Sequence, residues 1–459
     1  MRALMAILVQ TWRSSVRLRV FHLLLGLALL VVIAVPLTVK ADGTAAGDVQ
    51  ILLTYTLGLL TAMVSAAALW IACAGLSREI EGYQLHLVVS APVPRWRLWL
   101  GKWLGVVTLH GLLLVIGATA VYGLLQWRLA HGSYKPEELR QVREEVLAGR
   151  REYLPVQPDF RRLVETEYQK RLKDGTLEAN HNPTVVRGEI LRQVRARGSE
   201  LPPGASRFWV YRDVRDPGAE ARLFLRYRFY IGSASSRTDQ KLSEGVWALR
   251  DPAAGEDGFA ALPQRVMSGA FHEVVLPGKL VAADHTLVAG YTNLDQTKAP
   301  VVFQPADGPF LLAPESGFLG NYLRAVTLAL LQVAFLAAIG CVFGGIFSTP
   351  VALFVSAMYL VIGLLVQSAV RAPQQDDMGR YQYQGLTDRI PHYVALTTRA
   401  FVVSVDDFDA TGDLARGRLI TWHKLLGTAG SLLGLRTLPL VVFGIWVLTR
   451  RELGTVVRT

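Results

Sequence analysis

Charged residues are scarce in this sequence, and cysteine is nearly absent from it. Asp, Glu, Lys and Arg make up only 19% of the 459 residues, whereas 51% are hydrophobic. A soluble protein of this size carries about a quarter charged residues. The shortage is uneven, because long uncharged stretches flank an interior region, residues 132–317, that is rich in Arg, Glu and Asp. This segregation predicts a membrane protein with one sizeable soluble insert.

The two cysteines, Cys73 and Cys341, both lie in apolar stretches. The insert contains none, which excludes a disulfide framework or a thiolate metal site there. Two buried free thiols are favoured over a bridge between them. His272 and His285 lack the spacing of metal ligands, so no metal site is expected in the insert.

A phosphate-binding loop is also missing, since Gly-x-x-x-x-Gly-Lys-Ser/Thr occurs nowhere in the chain. The two Gly-Lys pairs do not qualify, because Lys279 precedes Leu and Lys102 opens an apolar stretch. Without backbone amides that cradle phosphates, the chain is not expected to hydrolyse ATP. The insert shows no nucleophile-and-base pattern either. We therefore predict a protein that is not an enzyme and binds no cofactor of its own.

Crossing the hydrocarbon core takes about 20 apolar residues in a helix. Five uncharged stretches reach this length: 20–39, 49–76, 103–127, 325–349 and 351–370. A sixth stretch, 429–449, also reaches it but contains one charged residue, Arg436. A cleaved signal peptide is the alternative for the first stretch, but Val39-Lys40-Ala41 is a poor cleavage site. We predict an α-helical polytopic membrane protein with six transmembrane helices.

Lys and Arg in the short flanks set the orientation of such a protein. The flank between the first two stretches has only Lys40, whereas the basic flanks contain Arg2, Arg13, Arg17, Arg19, Arg78, Arg95, Arg97, Lys102, Arg450, Arg451 and Arg458. This pattern predicts that both termini and the 77–102 loop are cytoplasmic, with 371–428 outside. The domains are then a membrane half at 1–130, an extracytoplasmic domain at 131–317 and a second membrane half at 318–459. The expected location is a bacterial cytoplasmic (inner) membrane. The net charge of +11 is assigned to these flanks, so no nucleic-acid partner is expected.

The first nineteen residues have the pattern of an amphipathic helix. Leu4, Leu8, Trp12 and Val16 recur every four residues, with polar residues opposite them. Such a helix is suited to lie in the headgroup layer in contact with membrane lipid. A frayed tail is the alternative.

The insert is predicted to be an α+β domain, with a small β-sandwich after three short helices. Pro136, Pro158 and Pro183 mark helix starts, and Gly149, Gly175 and Gly198 mark helix ends. Alternating apolar residues over 222–231 predict a strand with one face in a core, and further strands are expected at 206–212, 245–250, 270–276, 286–292 and 300–304. The other face of the 222–231 strand, with Arg222, Arg226 and Arg228, is expected to be solvated or packed; an anionic or sugar-like ligand is the alternative.

The 77–102 loop contains the functional signal, with a short helix predicted over 79–90 that ends near Pro92 and Pro94. The loop resembles the corresponding loop of the permease subunits of type-2 ABC exporters, which reads Arg-Glu-x-Glu, Gly, an apolar run, Pro, Arg and Gly-Lys. The matching residues are Arg78, Glu79, Glu81, Pro92, Arg95, Gly101 and Lys102. Gly82 lies one position before the family's Gly, where this chain has Tyr83. Residues 12–19 and 449–453 are similar to the family's opening and close.

The resemblance implies a permease that pairs with an ABC-type ATP-binding subunit, which would bind the ATP, and with a second permease copy or paralogue. Glu79 and Glu81 have no Lys near them in the sequence, so both are expected to meet basic groups of the ATPase partner. The substrate is not indicated, and the insert lies outside the matched part. A membrane-anchored receptor or adaptor whose outer domain binds a ligand is the alternative function. A membrane enzyme such as a glycosyltransferase would need a carboxylate-rich cytoplasmic loop, which is not found.

Two further features allow alternatives. Arg436 lies within the sixth stretch, where an unpaired charge costs at least a few kcal/mol. It either lines a translocation path or pairs with an outer carboxylate, or else the span begins later. Asp406, Asp407 and Asp409 suggest a cation site, but a solvated turn is favoured for this spacing.

Overall fold

The computed structural model describes residues 2–17, 19–38, 44–83, 93–177, 182–231, 242–252, 258–294, 299–304, 307–371, 386–399, 402–403 and 410–451. They fall into two compact units. Met1–Gly149, Ser316–Arg371 and Ile390–Thr459 form a helical unit, and Arg150–Glu315 with Ala372–Arg389 forms the second. Residues 132–149, assigned to the insert from the sequence, belong with the helical unit because Val142 and Val146 pack in its core.

The helices account for most of the described chain. In order they are α1 Arg2–Arg17, α2 Arg19–Thr38, α3 Ala45–Glu81, α4 Arg95–His131, α5 Pro136–Glu145, α6 Phe160–Lys173, α7 Pro183–Ser199, α8 Phe318–Ile346, α9 Thr349–Arg371, α10 Leu386–Arg399, α11 Ala410–Ala415 and α12 Trp422–Arg450. Five of them, α3, α4, α8, α9 and α12, are long and apolar enough to cross a membrane. A sixth span results if α1 and Phe21–Val35 of α2, which meet at a bend of 72°, are counted together.

The centre of the helical unit is the pair α3 and α8. In each, 67% of the most apolar segment is buried, against 17% for α9 and 22% for α12. Gly340 and Gly344 of α8 allow this contact, because a Cβ at these positions would lie 2.6 Å from Ala72 Cβ and 2.4 Å from the Cys73 carbonyl oxygen. Small residues spaced four apart let helix backbones approach closely where water cannot drive association.

Helix α1 packs along the first turns of α4. A Cβ at Gly105 would lie 2.6 Å from Thr11 Cβ, and Trp12 Nε1 donates a 2.9 Å hydrogen bond to Thr108 Oγ1. The buried residues of α1 are Ile7, Thr11 and Ser15. The predicted helix is confirmed. Its buried residues, however, are not the apolar residues that recur every four positions in the sequence, and one of those, Val16, is exposed.

Polar contacts fix the start of α8 against α4 and the segment before α12. Tyr322 donates a 2.6 Å hydrogen bond to the Ala118 carbonyl, and Asn321 bonds to the Arg418 carbonyl and the Ile420 amide at 2.7 and 2.8 Å. The chain leaves and re-enters the helical unit here, where a Cβ at Gly149 would lie 3.1 Å from the Ser316 carbonyl oxygen.

The second unit combines the α6–α7 hairpin with a β region. The hairpin packs around Val164, Tyr168 and Ile190. The strands are β1 Ala148–Tyr153, β2 Glu200–Leu201, β3 Ser206–Tyr211, β4 Arg222–Tyr227, β5 Tyr230–Ile231, β6 Leu242–Arg250, β7 Phe259–Met267, β8 His272–Pro277, β9 Leu287–Asn293, β10 Val301–Val302 and β11 Phe310–Gly317. They form sheets in the orders β1-β11-β4-β8, β2-β10-β5 and β3-β9-β6-β7.

All three sheets contribute to one aromatic-rich core. Leu225 and Tyr227 of β4, Trp247 of β6 and Tyr291 of β9 are fully buried in it, as in a sandwich of sheets. The register pairs Leu225 with Val274 and Trp247 with Tyr291. The prediction that the odd residues of 222–231 face a core is confirmed, although the strand is interrupted after Tyr227.

Two details of the insert were predicted wrongly or missed. Gly149 does not end a helix, because it lies in β1. Strand β7 was not predicted, since its sequence does not alternate and contains Pro263. Proline is tolerated there because β7 is an edge strand.

Candidate functional site

The residues that resemble a coupling loop lie at the facing ends of α3 and α4. Arg78, Glu79 and Glu81 occupy the last turn of α3, whereas Arg95, Gly101 and Lys102 lie in the first turns of α4. Each helix has 37 residues and is therefore about 56 Å long, well beyond the ~30 Å of a hydrocarbon core. Both loop ends are thus continuations of predicted spans.

The structure does not show a separate helix that begins at residue 79. Helix α3 continues to Glu81, and Gly82 closes it with a 2.8 Å bond from its amide to the Arg78 carbonyl. Tyr83 follows with a φ of 56°, a left-handed conformation that favours glycine. This is the position where the resembled pattern has its Gly. Residues 84–92, and with them Pro92, lie outside the described part of the chain.

Glu79 forms an ion pair with Lys102, which links α3 to α4. The Lys102 side chain is only 8% exposed and that of Glu79 only 19%. Glu79 therefore has a counter-charge within its own chain, although no Lys lies near it in the sequence. The antiparallel packing of the two helices brings together residues that lie 23 positions apart.

Glu81 and Arg78 remain at the surface of this end. Glu81 is exposed and accepts a 3.1 Å hydrogen bond from the Ser77 hydroxyl. Arg78 is also exposed, and no carboxylate among the described residues pairs with it. These two charges, unlike Glu79, are accessible to another protein.

Arg95 binds the end of α12. Its Nη1 lies 3.0, 2.8 and 3.0 Å from the carbonyl oxygens of Leu448, Thr449 and Arg451. The last four carbonyls of a helix have no partner within the helix, and they carry a partial negative charge. A guanidinium satisfies both needs. Arg95 therefore acts inside the helical unit.

Arg451 also binds a carbonyl near the end of a neighbouring helix. Its Nη1 donates to the carbonyl of Gly345, close to the end of α8. The sequence analysis placed Arg451 only in a basic flank. Its position directly after the last turn of α12 was the available signal, since basic residues there often bind helix-terminal carbonyls.

Gly101 is required by the neighbouring helix α1. A Cβ at Gly101 would lie 2.7 Å from Cγ2 of Ile7. Two residues earlier, Trp99 is buried against Gly444 of α12, where a Cβ would lie 2.6 Å from its Nε1. The first two turns of α4 thus contact α1, α3 and α12.

Arg436 lies far from this end, in the middle of α12. It follows Trp422 by fourteen residues and precedes Arg450 by fourteen, about 21 Å from either helix end. The helix itself thus begins well before Arg436. Around Arg436, residues Gly430–Thr437 form a wide π-helical turn, a feature that often accompanies functional positions.

Arg436 contacts a hydroxyl and a backbone carbonyl among the described residues. Nη1 donates to the Ser431 hydroxyl at 3.0 Å, and Nη2 donates to the carbonyl of Arg399, the last residue of α10, at 3.3 Å. No carboxylate among the described residues pairs with it, and Asp406, Asp407 and Asp409 lie outside them. Half-buried Arg436 thus binds the end of a neighbouring helix.

The other candidates are engaged within their own units. Cys73 and Cys341 are free and buried, as predicted. His285 Nδ1 lies 3.2 Å from the Val214 carbonyl oxygen, and within the described ranges no group of His, Cys, Asp and Glu is arranged to hold a metal. His272 Nε2 is likewise 2.7 Å from the Met267 carbonyl oxygen.

The Arg-rich face of β4 is internally paired. Arg226 Nη1 is 3.6 Å from Glu273, and Arg228 pairs with Asp307, which also accepts a 2.9 Å bond from Tyr230. The hydrogen bond to Asp307 raises the pKa of Arg228 above its usual value. Phe271 stacks against both guanidinium groups. This network supports the packed interpretation of the face.

No protein-family model, curated protein or solved structure matches this chain. Function is therefore inferred from the residues and their geometry.

Proposed function

We propose that this chain is the permease subunit of an ATP-driven, ABC-type exporter of the bacterial cytoplasmic membrane. It would have six spans, cytoplasmic termini and an extracytoplasmic insert. A separate ATP-binding subunit would bind and hydrolyse ATP, and a second permease copy or paralogue would complete the membrane domain. The observation that supports this most is the convergence of the motif residues at one end of the helical unit, where they interlock four helices.

The interlocking suits a surface that receives force. Glu79 and Lys102 join α3 to α4, Arg95 joins α4 to α12, and Arg451 joins α12 to α8. A displacement of the 84–92 segment, which connects α3 to α4, would be shared among these helices. Permeases need such stiffness, because their partner's ATP cycle has to move spans.

The distribution of charge supports the proposed orientation. Basic residues of two separate flanks lie at this end: Arg78 and Arg95 between α3 and α4, and Arg451 after α12. Positive residues in short loops favour the cytoplasmic side. A soluble ATPase partner would be on that side.

Helices α9 and α12 support a membrane setting and leave room for a second subunit. They are the least buried of the long helices and expose apolar residues such as Leu365, Val442 and Trp446. Membrane lipid or another copy of the permease would cover these surfaces.

Co-purification tests the proposal. The tagged permease is co-expressed with an ATP-binding-cassette subunit encoded beside it, and the expected result is a stable complex with an ATPase activity that the permease alone lacks. Charge reversal at the exposed pair, Arg78→Glu with Glu81→Arg, should weaken the complex. Glu137→Arg, an exposed reversal at the start of α5, is the matched control and should leave it intact.

A complex that tolerates the reversal at Arg78 and Glu81 but is lost with Glu137→Arg would contradict the proposal. Failure of any such ATPase subunit to bind, together with ligand binding by the insert, would favour a membrane-anchored receptor or adaptor.

A further inference from the structure

We propose that Arg95 and Arg451 form a relay that transmits displacement of the start of α4 to the ends of α12 and α8. The inference deepens the proposed function and rests on it for the source of the displacement. The relay itself is a property of the helical unit alone. It assigns a positioning role to Arg451, and it places the action of Arg95 inside the permease.

Arg95 lies where the loop after α3 enters α4. Pro94 is extended, with φ and ψ of −61° and 137°, and Arg95 is the first residue of α4. Only Val93 and Pro94 separate it from the 84–92 segment. A displacement at the start of α4 therefore reaches Arg95 first among the interlocking residues.

Arg95 contacts carbonyls that accept no helical hydrogen bond from the residues that the structure describes. The Val447 carbonyl already accepts a 3.0 Å hydrogen bond from the Arg451 amide. The carbonyls of Leu448 and Thr449 are the next two toward the end of α12. Arg95 takes both of these and the carbonyl of Arg451. The two hydrogens of this nitrogen are shared among three carbonyl oxygens, and these contacts attach the end of α12 to the start of α4.

Arg451 in turn binds the next helix. Because Arg95 holds its carbonyl, the backbone of Arg451 is fixed, and its guanidinium is aimed at Gly345 near the end of α8. The Phe343 carbonyl is occupied by the Phe347 amide at 2.8 Å, which leaves the Gly345 carbonyl to accept this bond. Arg95 thus holds the backbone carbonyl of Arg451, and the side chain of Arg451 holds the end of α8.

The helix that is reached last is the central one. Helix α8 packs against α3 over Gly340 and Gly344, close to the Gly345 carbonyl that Arg451 binds. A shift delivered there acts directly on the most closely packed helix pair of the unit. The neighbouring cations lack this geometry: Arg97 lies over the Trp96 ring at 5.2 Å, and Arg450 is exposed.

The test measures a distance in the full-length permease. Spin labels replace Trp96 at the start of α4 and Phe347 just after α8, both exposed positions, in a background without the two native cysteines. The native relay predicts one narrow distance distribution. Arg95→Gln and Arg451→Gln should each broaden it, and the double substitution should add little to the larger single effect, because the two act in series.

Arg97→Gln and Arg450→Gln remove the same charge from the neighbouring positions and should leave the distribution narrow. An unchanged distribution in Arg95→Gln, or a double variant in which the two effects add fully, would overturn the relay.

The second arm uses the complex with the ATPase subunit. ATP should shift the distance between the two labels in the native permease. In Arg95→Gln and Arg451→Gln the complex should still form and hydrolyse ATP, but the nucleotide-dependent shift should be lost. A retained shift would refute the relay even if the complex behaves as proposed. If no complex forms, the proposed function fails while the first arm still decides the relay.

Discussion

The ion pair between Glu79 and Lys102 predicts a specific loss of stability. Lys102→Met removes the ammonium group and leaves the Glu79 carboxylate facing a largely buried site, where the two side chains are 19% and 8% exposed. Removing one partner of a buried pair costs about 3 to 5 kcal/mol. We expect about 3 kcal/mol here, the lower bound, because Glu79 still has some access to water.

The assay is equilibrium unfolding of the purified permease in mixed micelles, followed by tryptophan fluorescence. Glu79→Met with Lys102→Met should recover most of the loss, since an apolar pair of similar volume is often as stable as a buried ion pair. The exposed pair of Glu137 and Arg140, 72% and 50% exposed, provides the control. Glu137→Gln should change the stability by less than about 1 kcal/mol.

Two results would refute this reasoning. If Lys102→Met is as mild as Glu137→Gln, the pair does not join α3 to α4. If the double substitution is as damaging as the sum of its single members, the side chains act independently and not as a pair.

Three further outcomes are expected. Gly105→Val should destabilise the protein by about 1 to 3 kcal/mol, because its side chain would clash with Thr11, whereas Gly123→Val on the same helix, with open space around it, should be mild; equal unfolding curves would contradict the packing of α1 on α4. Single cysteines near positions 180 and 455 should react from opposite sides with an impermeant thiol reagent, and labelling of both from one side would contradict the six-span orientation. The isolated chain should neither bind nor hydrolyse ATP, because it lacks a phosphate-binding loop, and measurable nucleotide affinity would contradict this prediction.

Hydropathy alone located the long helices, because an uncharged run of about 20 residues has few other uses. It could not locate their ends. Helices α3 and α4 continue through polar residues such as Glu79 and Arg97, since helix formation outside the apolar part depends on local sequence and packing. The loop between them is shorter than the 77–102 interval suggested.

The sequence identifies most residues of the candidate site but not their contacts within the chain. Glu79 lacks a basic neighbour in sequence, yet antiparallel packing supplies Lys102. The binding of helix-terminal carbonyls by Arg95 and Arg451 depends on which helices end side by side, information that no local pattern contains. Alternation predicted the 222–231 strand, whereas the edge strand β7 has little alternation to detect.

The central claim is that the α3–α4 end of the permease contacts an ATP-binding-cassette subunit. The most direct measurement is photo-crosslinking in cells from benzoylphenylalanine at Tyr83, which is 55% exposed beside the 84–92 segment. Phe208 on the second unit, also aromatic and 52% exposed, is the matched control position. We predict an adduct at Tyr83 that mass spectrometry identifies as an ATP-binding-cassette subunit, and none with that subunit at Phe208. An adduct with that subunit at Phe208 and none at Tyr83 would contradict the account.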